Sequence, residues 1–244
     1  ATNIARYVEC LIVIFYVIKS RKRFSYFKSL FKGFYIPGKI CKDISVKGMP
    51  LLFNEFFWSL GTSLLSVAYS LHGISVVAGY SISSTVMNLA NISFISLGAS
   101  IGIIIGKLLG ANKFEEAYDT DRKLITFSVL LSLGVSVVVI LLSDKIPLLY
   151  NTSPEAKEYA AYFIKVSAIF SVTHAFANAS YFTIRSGGKT LITFLMDSVF
   201  IMCVSVPKLD IITSYPIVQA VEIIKVIIGL VLIKKKVWLN NIVD

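Results

Sequence analysis

Long apolar runs separated by short polar stretches dominate the chain, and their lengths predict helices rather than strands. The runs fall at about 3–18, 49–71, 74–105, 124–143, 159–183, 190–207 and 213–233. About 20 apolar residues carry a helix across ~30 Å of hydrocarbon, so the pattern predicts an all-α membrane protein with about seven transmembrane helices. The third run is long for one crossing. It is expected to tilt, or to include an interfacial turn after His72-Gly73.

Lys and Arg alternate from loop to loop. The stretch after the first run, SRKRFSYFKSLFKGFYIPGKICKDISVKG, is strongly basic, and the His72-Gly73 turn has neither residue. GKLLGANKFEEAYDTDRK brings Lys107, Lys113, Arg122 and Lys123, RSGGK brings Arg185 and Lys189, and the tail brings Lys234, Lys235 and Lys236. The intervening loops are poorer. This positive-inside pattern predicts that the long basic loop and the C-terminus are cytoplasmic and that the first residues lie outside.

Composition agrees with the pattern. Of 244 residues 56% are hydrophobic and 16% charged, with mean hydropathy +0.76. The net charge of +10 would suit nucleic acid, but its concentration in alternate loops makes it a topological signal and argues against that class. Arg6 and Glu9 within the first run, and the lack of a small-residue cleavage site after it, argue against a cleavable signal peptide. Cys10, Cys41 and Cys203 are far apart and support neither a disulfide frame nor a zinc site. The sequence has no HExxH and no nucleophile set beside a base, so an enzyme is not expected. IRSGGKT resembles the end of a phosphate-binding loop, but Thr183 stands where that loop needs glycine and no strand precedes it.

The chemistry lies in polar positions inside the apolar runs. Glu55 stands within MPLLFNEFFWSLGTSLLSVAYSL, and a carboxylate in hydrocarbon is a functional hypothesis by default. Helical spacing continues its face through Ser59, Thr62 and Ser66. The next helix aligns Ser81, Ser84, Asn88 and Asn91. The fifth aligns Ser167, Ser171, His174, Asn178 and Arg185. Such faces are expected to converge on a watery path, with Ser and Thr serving mainly as helix-to-helix hydrogen bonds. Glu222 and Lys225, three apart, are expected to form a structural ion pair, as are Arg6 and Glu9. Asp197 has no charged neighbour in its own run and is a second carboxylate candidate. Gly98, Gly102, Gly106 and Gly110 recur every fourth residue and predict close helix packing along one face.

Four segments in order, KGMPLLFNEFFWSLG, GKLLGANKFEEAY, FTIRSGGKT and VQAVEIIKVIIGLVLIKKKVW, resemble the multidrug and toxic compound extrusion (MATE) family of bacterial secondary transporters. The family is built from two six-helix lobes. The resemblance implies that residues 1–18 correspond to the sixth helix, 19–48 to a basic cytoplasmic linker, and 49–244 to the six-helix C-terminal lobe. It implies an inner-membrane, multi-pass protein whose complete form is an antiporter. That antiporter exports organic cations in exchange for H+ or Na+, with no other cofactor. Glu55 matches the family's acidic cation-coupling position, while His174 stands where some members have an aspartate, a departure that puts sodium binding by that pair in doubt. Asp197 is then a candidate to substitute for it. Ser59, Thr62, Asn88, Asn91 and Asn178 would line the substrate path. Implied partners are the bilayer, small organic cations or drugs, and an N-terminal lobe or a second copy of the chain. The alternatives are a lipid-linked sugar flippase of the same superfamily, or a lobe inactive without its partner.

Overall fold

The structure, a computed structural model, describes residues 2–20, 38–196 and 211–240. Among these residues all regular structure is helical, as hydrocarbon demands of a chain that must satisfy its own backbone groups. We label the helices α1 (Thr2–Lys19), α2 (Gly38–Ser70), α3 (Ile74–Gly110), α4 (Phe114–Leu142), α5 (Pro154–Ser186) and α6 (Ile211–Lys234). A 3-10 turn (Ile146–Leu149) follows α4, and residues 190–196 are also helical. Five helices are long and apolar enough to cross a membrane: Ile44–Ser70, Ile74–Gly110, Phe114–Leu142, Pro154–Ser186 and Ile211–Lys234. They match five of the seven expected spans. α1 covers a sixth, with Arg6 and Glu9 paired at 2.7 Å as their spacing predicts. Most of the run 190–207, including Asp197, lies outside the described residues.

The third run forms one unbroken helix. α3 has 37 residues, about 55 Å at 1.5 Å per residue, well beyond ~30 Å of hydrocarbon. The turn at His72-Gly73 separates α2 from α3, and Gly73 takes a φ of 108° there, a value L side chains rarely adopt. α5 begins sharply because Ser153 caps it and Pro154 opens it, with the Ser153 hydroxyl accepting from the Ala156 amide at 3.2 Å.

The chain divides into two compact units, Ala1–Val46 and Lys47–Asp244. The second is organised around α5, which packs against α3, α4 and α6. Its inward face is a column of small residues: Ala156, Ala160, Ala168, Ala175 and Ala179 are all fully buried. Small side chains let backbones approach in a bilayer, where packing replaces the hydrophobic effect as the cause of helix association. A Cβ on Gly79 would meet Tyr159 Cβ at 2.7 Å and the Ala156 carbonyl oxygen at 3.0 Å. One on Gly98 would collide with Asn178 and Phe182. The expected four-glycine stripe is therefore a contact over its first half. Gly102 packs on Phe182, whereas Gly106 and Gly110 have open space beside them.

Buried serines add hydrogen bonds where α4 meets α5. Ser132 Oγ donates to the Ser171 carbonyl at 3.0 Å and Ser136 Oγ to the Ala168 carbonyl at 2.7 Å. This is the helix-joining role expected of such residues. On the outside, Leu130, Leu133, Val137 and Leu141 of α4 are exposed, an apolar surface suited to lipid.

Gly79→Val should destabilise the unit by about 1–3 kcal/mol, because backbone rather than a movable side-chain tip blocks the new atoms. Gly106→Val should not. Thermal unfolding in detergent compares the two, and equal melting temperatures would contradict the packing described here.

Candidate functional site

Between α2, α3, α5 and α6 lies a cavity of about 530 Å³. α2 contributes Glu55 and Trp58, and α3 contributes Asn88, Asn91 and Phe94. α5 supplies His174, Asn178, Tyr181, Phe182 and Arg185, one face of a helix at the expected spacing. Glu222 and Lys225 close the far side from α6, and Met196 lines it as well. A smaller hollow of about 150 Å³ shares Asn88, Asn91 and His174 with the first. It extends along Ser83, Ser167, Ser171, Tyr215 and Gln219. Helical periodicity explains the convergence: each helix places its polar residues on one side, and α5 brings three such sides together.

Five of the eight residues singled out from the sequence, Glu55, Asn88, Asn91, His174 and Asn178, line this one cavity. Ser59 and Thr62 do not line either hollow. Thr62 Oγ1 lies 3.0 Å from the Ser59 carbonyl and 3.1 Å from the Trp58 carbonyl, so its hydroxyl is satisfied within its own helix. Asp197 lies outside the described residues.

Glu55 is an exposed residue at the cavity edge and makes no ion pair among the described residues. Its neighbour Asn54 turns the other way and is 2% exposed, with Nδ2 donating to the Tyr181 hydroxyl at 3.4 Å. The adjacent polar residues therefore divide the work: Asn54 anchors α2 to α5, and Glu55 is left facing the cavity. Sequence reasoning passed over Asn54 because the adjacent charge drew attention.

The Glu222–Lys225 pair forms at 2.8 Å, as its spacing predicts, but it also lines the cavity. Glu222 Oε2 stands 4.0 Å from His174 Nδ1, and His174 Nε2 is hydrogen-bonded to Gln219 at 3.2 Å. His174 thus joins the ion pair of α6 to both hollows. The remaining charges, Glu55 and Arg185, are of opposite sign, and the Arg185 guanidinium carbon lies 6.0 Å from the Tyr181 and Phe182 ring centres. Among the described residues no three His, Cys, Asp or Glu side chains gather closely enough to hold a metal ion. Asn91 Oδ1 and Asn178 Oδ1 are buried without a hydrogen-bond partner among the described residues, leaving acceptor oxygens at the cavity wall.

Lys225→Met should cost about 2 kcal/mol of stability, less than the roughly 3–5 for a dry buried pair, because the cavity lets Glu222 reach water. Adding Glu222→Gln should restore most of the loss by removing the stranded charge. Thermal unfolding of both variants checks this, and a double variant no more stable than the single would contradict it.

The chain matches the MatE family over residues 50–215. It is 27% identical over 176 residues to Multidrug resistance protein MdtK of Yersinia pseudotuberculosis serotype O:1b, covering 72% of this chain and 38% of that protein. The MdtK protein of Yersinia enterocolitica serotype O:8 is 25% identical over the same shares. The chain therefore spans less than half the length of the curated relatives it matches. Its fold is similar to that of a MOP superfamily transporter from Pyrococcus furiosus, with TM-score 0.65 and 16% identity over 79% of this chain and 44% of that one. With its membrane-crossing helices and a match over most of its length, the chain is a multi-pass membrane protein that belongs to the MatE family.

Proposed function

We propose that the chain is the C-terminal lobe of an inner-membrane antiporter that exports organic cations, coupled to inward movement of H+ or Na+. The observation that carries this reading is the shared cavity, where Glu55, Asn88, Asn91, His174 and Asn178 meet from three helices. Its volume of about 530 Å³ suits a drug-sized molecule. Trp58, Phe94, Tyr181 and Phe182 offer aromatic faces and edges to a flat ring. Glu55 supplies a carboxylate that alternates between a coupling ion and a cationic substrate. Since the Glu222–Lys225 pair is neutral overall, it does not oppose a cation. His174 adds an imidazole beside Glu222, and Asp197 is the further carboxylate of the coupling set. Transport itself would come from rocking of two lobes about the cavity, the other being an N-terminal lobe or a second copy of the chain.

A lipid-linked sugar flippase would need a cationic cavity for pyrophosphate. Arg185 lies on the cavity wall, but Glu55 faces the same space, so the mixed charge favours the antiporter.

Cation-driven ethidium efflux from vesicles holding the chain tests the proposal. Glu55→Gln keeps the shape and hydrogen bonding and removes the titratable charge. It should slow efflux at least about tenfold, the rate equivalent of roughly 1.4 kcal/mol. Equal efflux by both proteins would refute the coupling role of Glu55. An inserted, folded chain that exports nothing would identify it as a lobe that needs its partner, and the comparison would then be repeated with that partner supplied.

A further inference from the structure

Asp121 takes no part in the cavity. It lies two turns into α4 and is fully enclosed, while Asp119, Arg122 and Lys123 on the same turns are exposed. Its surroundings are apolar: Ala117 and Ile125 one turn to either side, with Ile105, Leu109, Ala179 and Trp238 in the same core cluster. One turn beyond Thr183, Gly187 presses against the Trp238 backbone. Asp121 and Thr183 therefore join the start of α4 to the end of α5. They sit at the end of the unit that carries Arg122, Lys123 and the C-terminal lysines, the end that the Lys and Arg asymmetry assigns to the cytoplasm.

The hydrogen bonds there bear on the protonation state. Thr183 Oγ1 lies 2.5 Å from Asp121 Oδ1 and 3.1 Å from the Ala179 carbonyl oxygen. A hydroxyl has one hydrogen and cannot donate at full strength to both acceptors. The conflict disappears when Asp121 is a carboxylic acid. The acid O–H then donates to Thr183 Oγ1, and the Thr183 hydroxyl donates to Ala179. As a carboxylate, Asp121 would be a buried charge whose Oδ2 has no partner among the described residues. Among the described residues no cation pairs with that charge. Lys107 at the end of α3 is exposed, Arg122 and Lys236 are directed at the Tyr118 ring, and Arg185 lies over Tyr181 and Phe182. Tyr118 and the Asp119–Lys123 ion pair are the further titratable groups on the adjoining turns of α4, and Asp121 makes no ion pair among the described residues.

We infer that Asp121 is a proton-binding latch, which as the acid bridges α4 to α5 through Thr183 and holds this end of the unit closed, and which releases the bridge when it loses its proton to cytoplasmic water. The O–H bond of the acid breaks, water or hydroxide takes the proton, and hydration replaces Thr183 around the carboxylate. Acid conditions close the latch and alkaline conditions open it. The device is separate from Glu55 and stands or falls without the coupling role assigned to that residue.

Hydrogen–deuterium exchange of the chain in lipid nanodiscs, corrected for intrinsic rates, tests the latch between about pH 5 and about pH 8. In the native sequence, amides of residues 117–125 and 179–187 should become about tenfold less protected at the alkaline end. Asp121→Asn keeps a donor toward Thr183 but cannot titrate, and should show protection independent of pH. Thr183→Val should be weakly protected throughout. Native protection that does not change with pH overturns the latch, as does either variant keeping the native pH dependence. Should Asp121→Asn fail to fold, the infrared band of a protonated carboxyl in aspartate-labelled native chain decides. It must be present at acid pH and fade toward alkaline pH, and its absence at acid pH overturns the inference.

Discussion

Where Gly79 and Gly98 of α3 meet Tyr159 and Asn178 of α5, there is no room for another carbon. That closeness places α5 at the centre of the unit, because the fully buried alanines along it admit α4 in the same way. In a bilayer the reward for such packing is dispersion and hydrogen bonding rather than release of water from apolar surface. Small residues therefore decide which helices touch. The polar cavity is a consequence, since the polar faces of α3, α5 and α6 can meet only if the backbones are already near one another.

The buried polar groups then divide into those that join helices and those left for chemistry. Ser132, Ser136 and Ser167 have partners on neighbouring helices, with Ser167 and the Tyr215 hydroxyl 2.6 Å apart. Asn54 likewise ties α2 to Tyr181. Glu55 is different because it faces the cavity without an ion-pair partner among the described residues. Asp121 differs again, being fully buried with one hydrogen-bond partner among the described residues. A carboxylate facing a cavity can exchange ions with it, whereas one sealed in a core can change its charge only when the core opens. The two acids are thus suited to different tasks at different depths of the same unit.

Much of this was legible in the residue pattern, and the exceptions are instructive. Run lengths and loop charges are local properties, so the helices and their expected orientation follow from them. The faces holding Asn88, Asn91, His174 and Asn178 are also local, because helical geometry assigns a side to every position. Asp121 was hidden among the charges of FEEAYDTDRK, although it belongs to the buried register Ala117, Asp121, Ile125, Ser128, Ser132, Ser136 and Val139. That register of small and polar residues is the signal that would have found it. Ser59 and Thr62 shared the face of Glu55 in projection, yet the Thr62 hydroxyl bonds within its own helix and neither residue lines the cavity.

The sequence by itself determined the fold class, the approximate positions of the five membrane-length helices and the polar face of each, because these depend on neighbours within a turn or two. Tertiary structure decided which faces meet. It split the adjacent Asn54 and Glu55 between core and cavity, gave the Glu222–Lys225 pair a place beside His174, and set Asp121 against Thr183. Such outcomes rest on distances between helices far apart in the chain, and those distances follow from how closely small residues allow the backbones to approach.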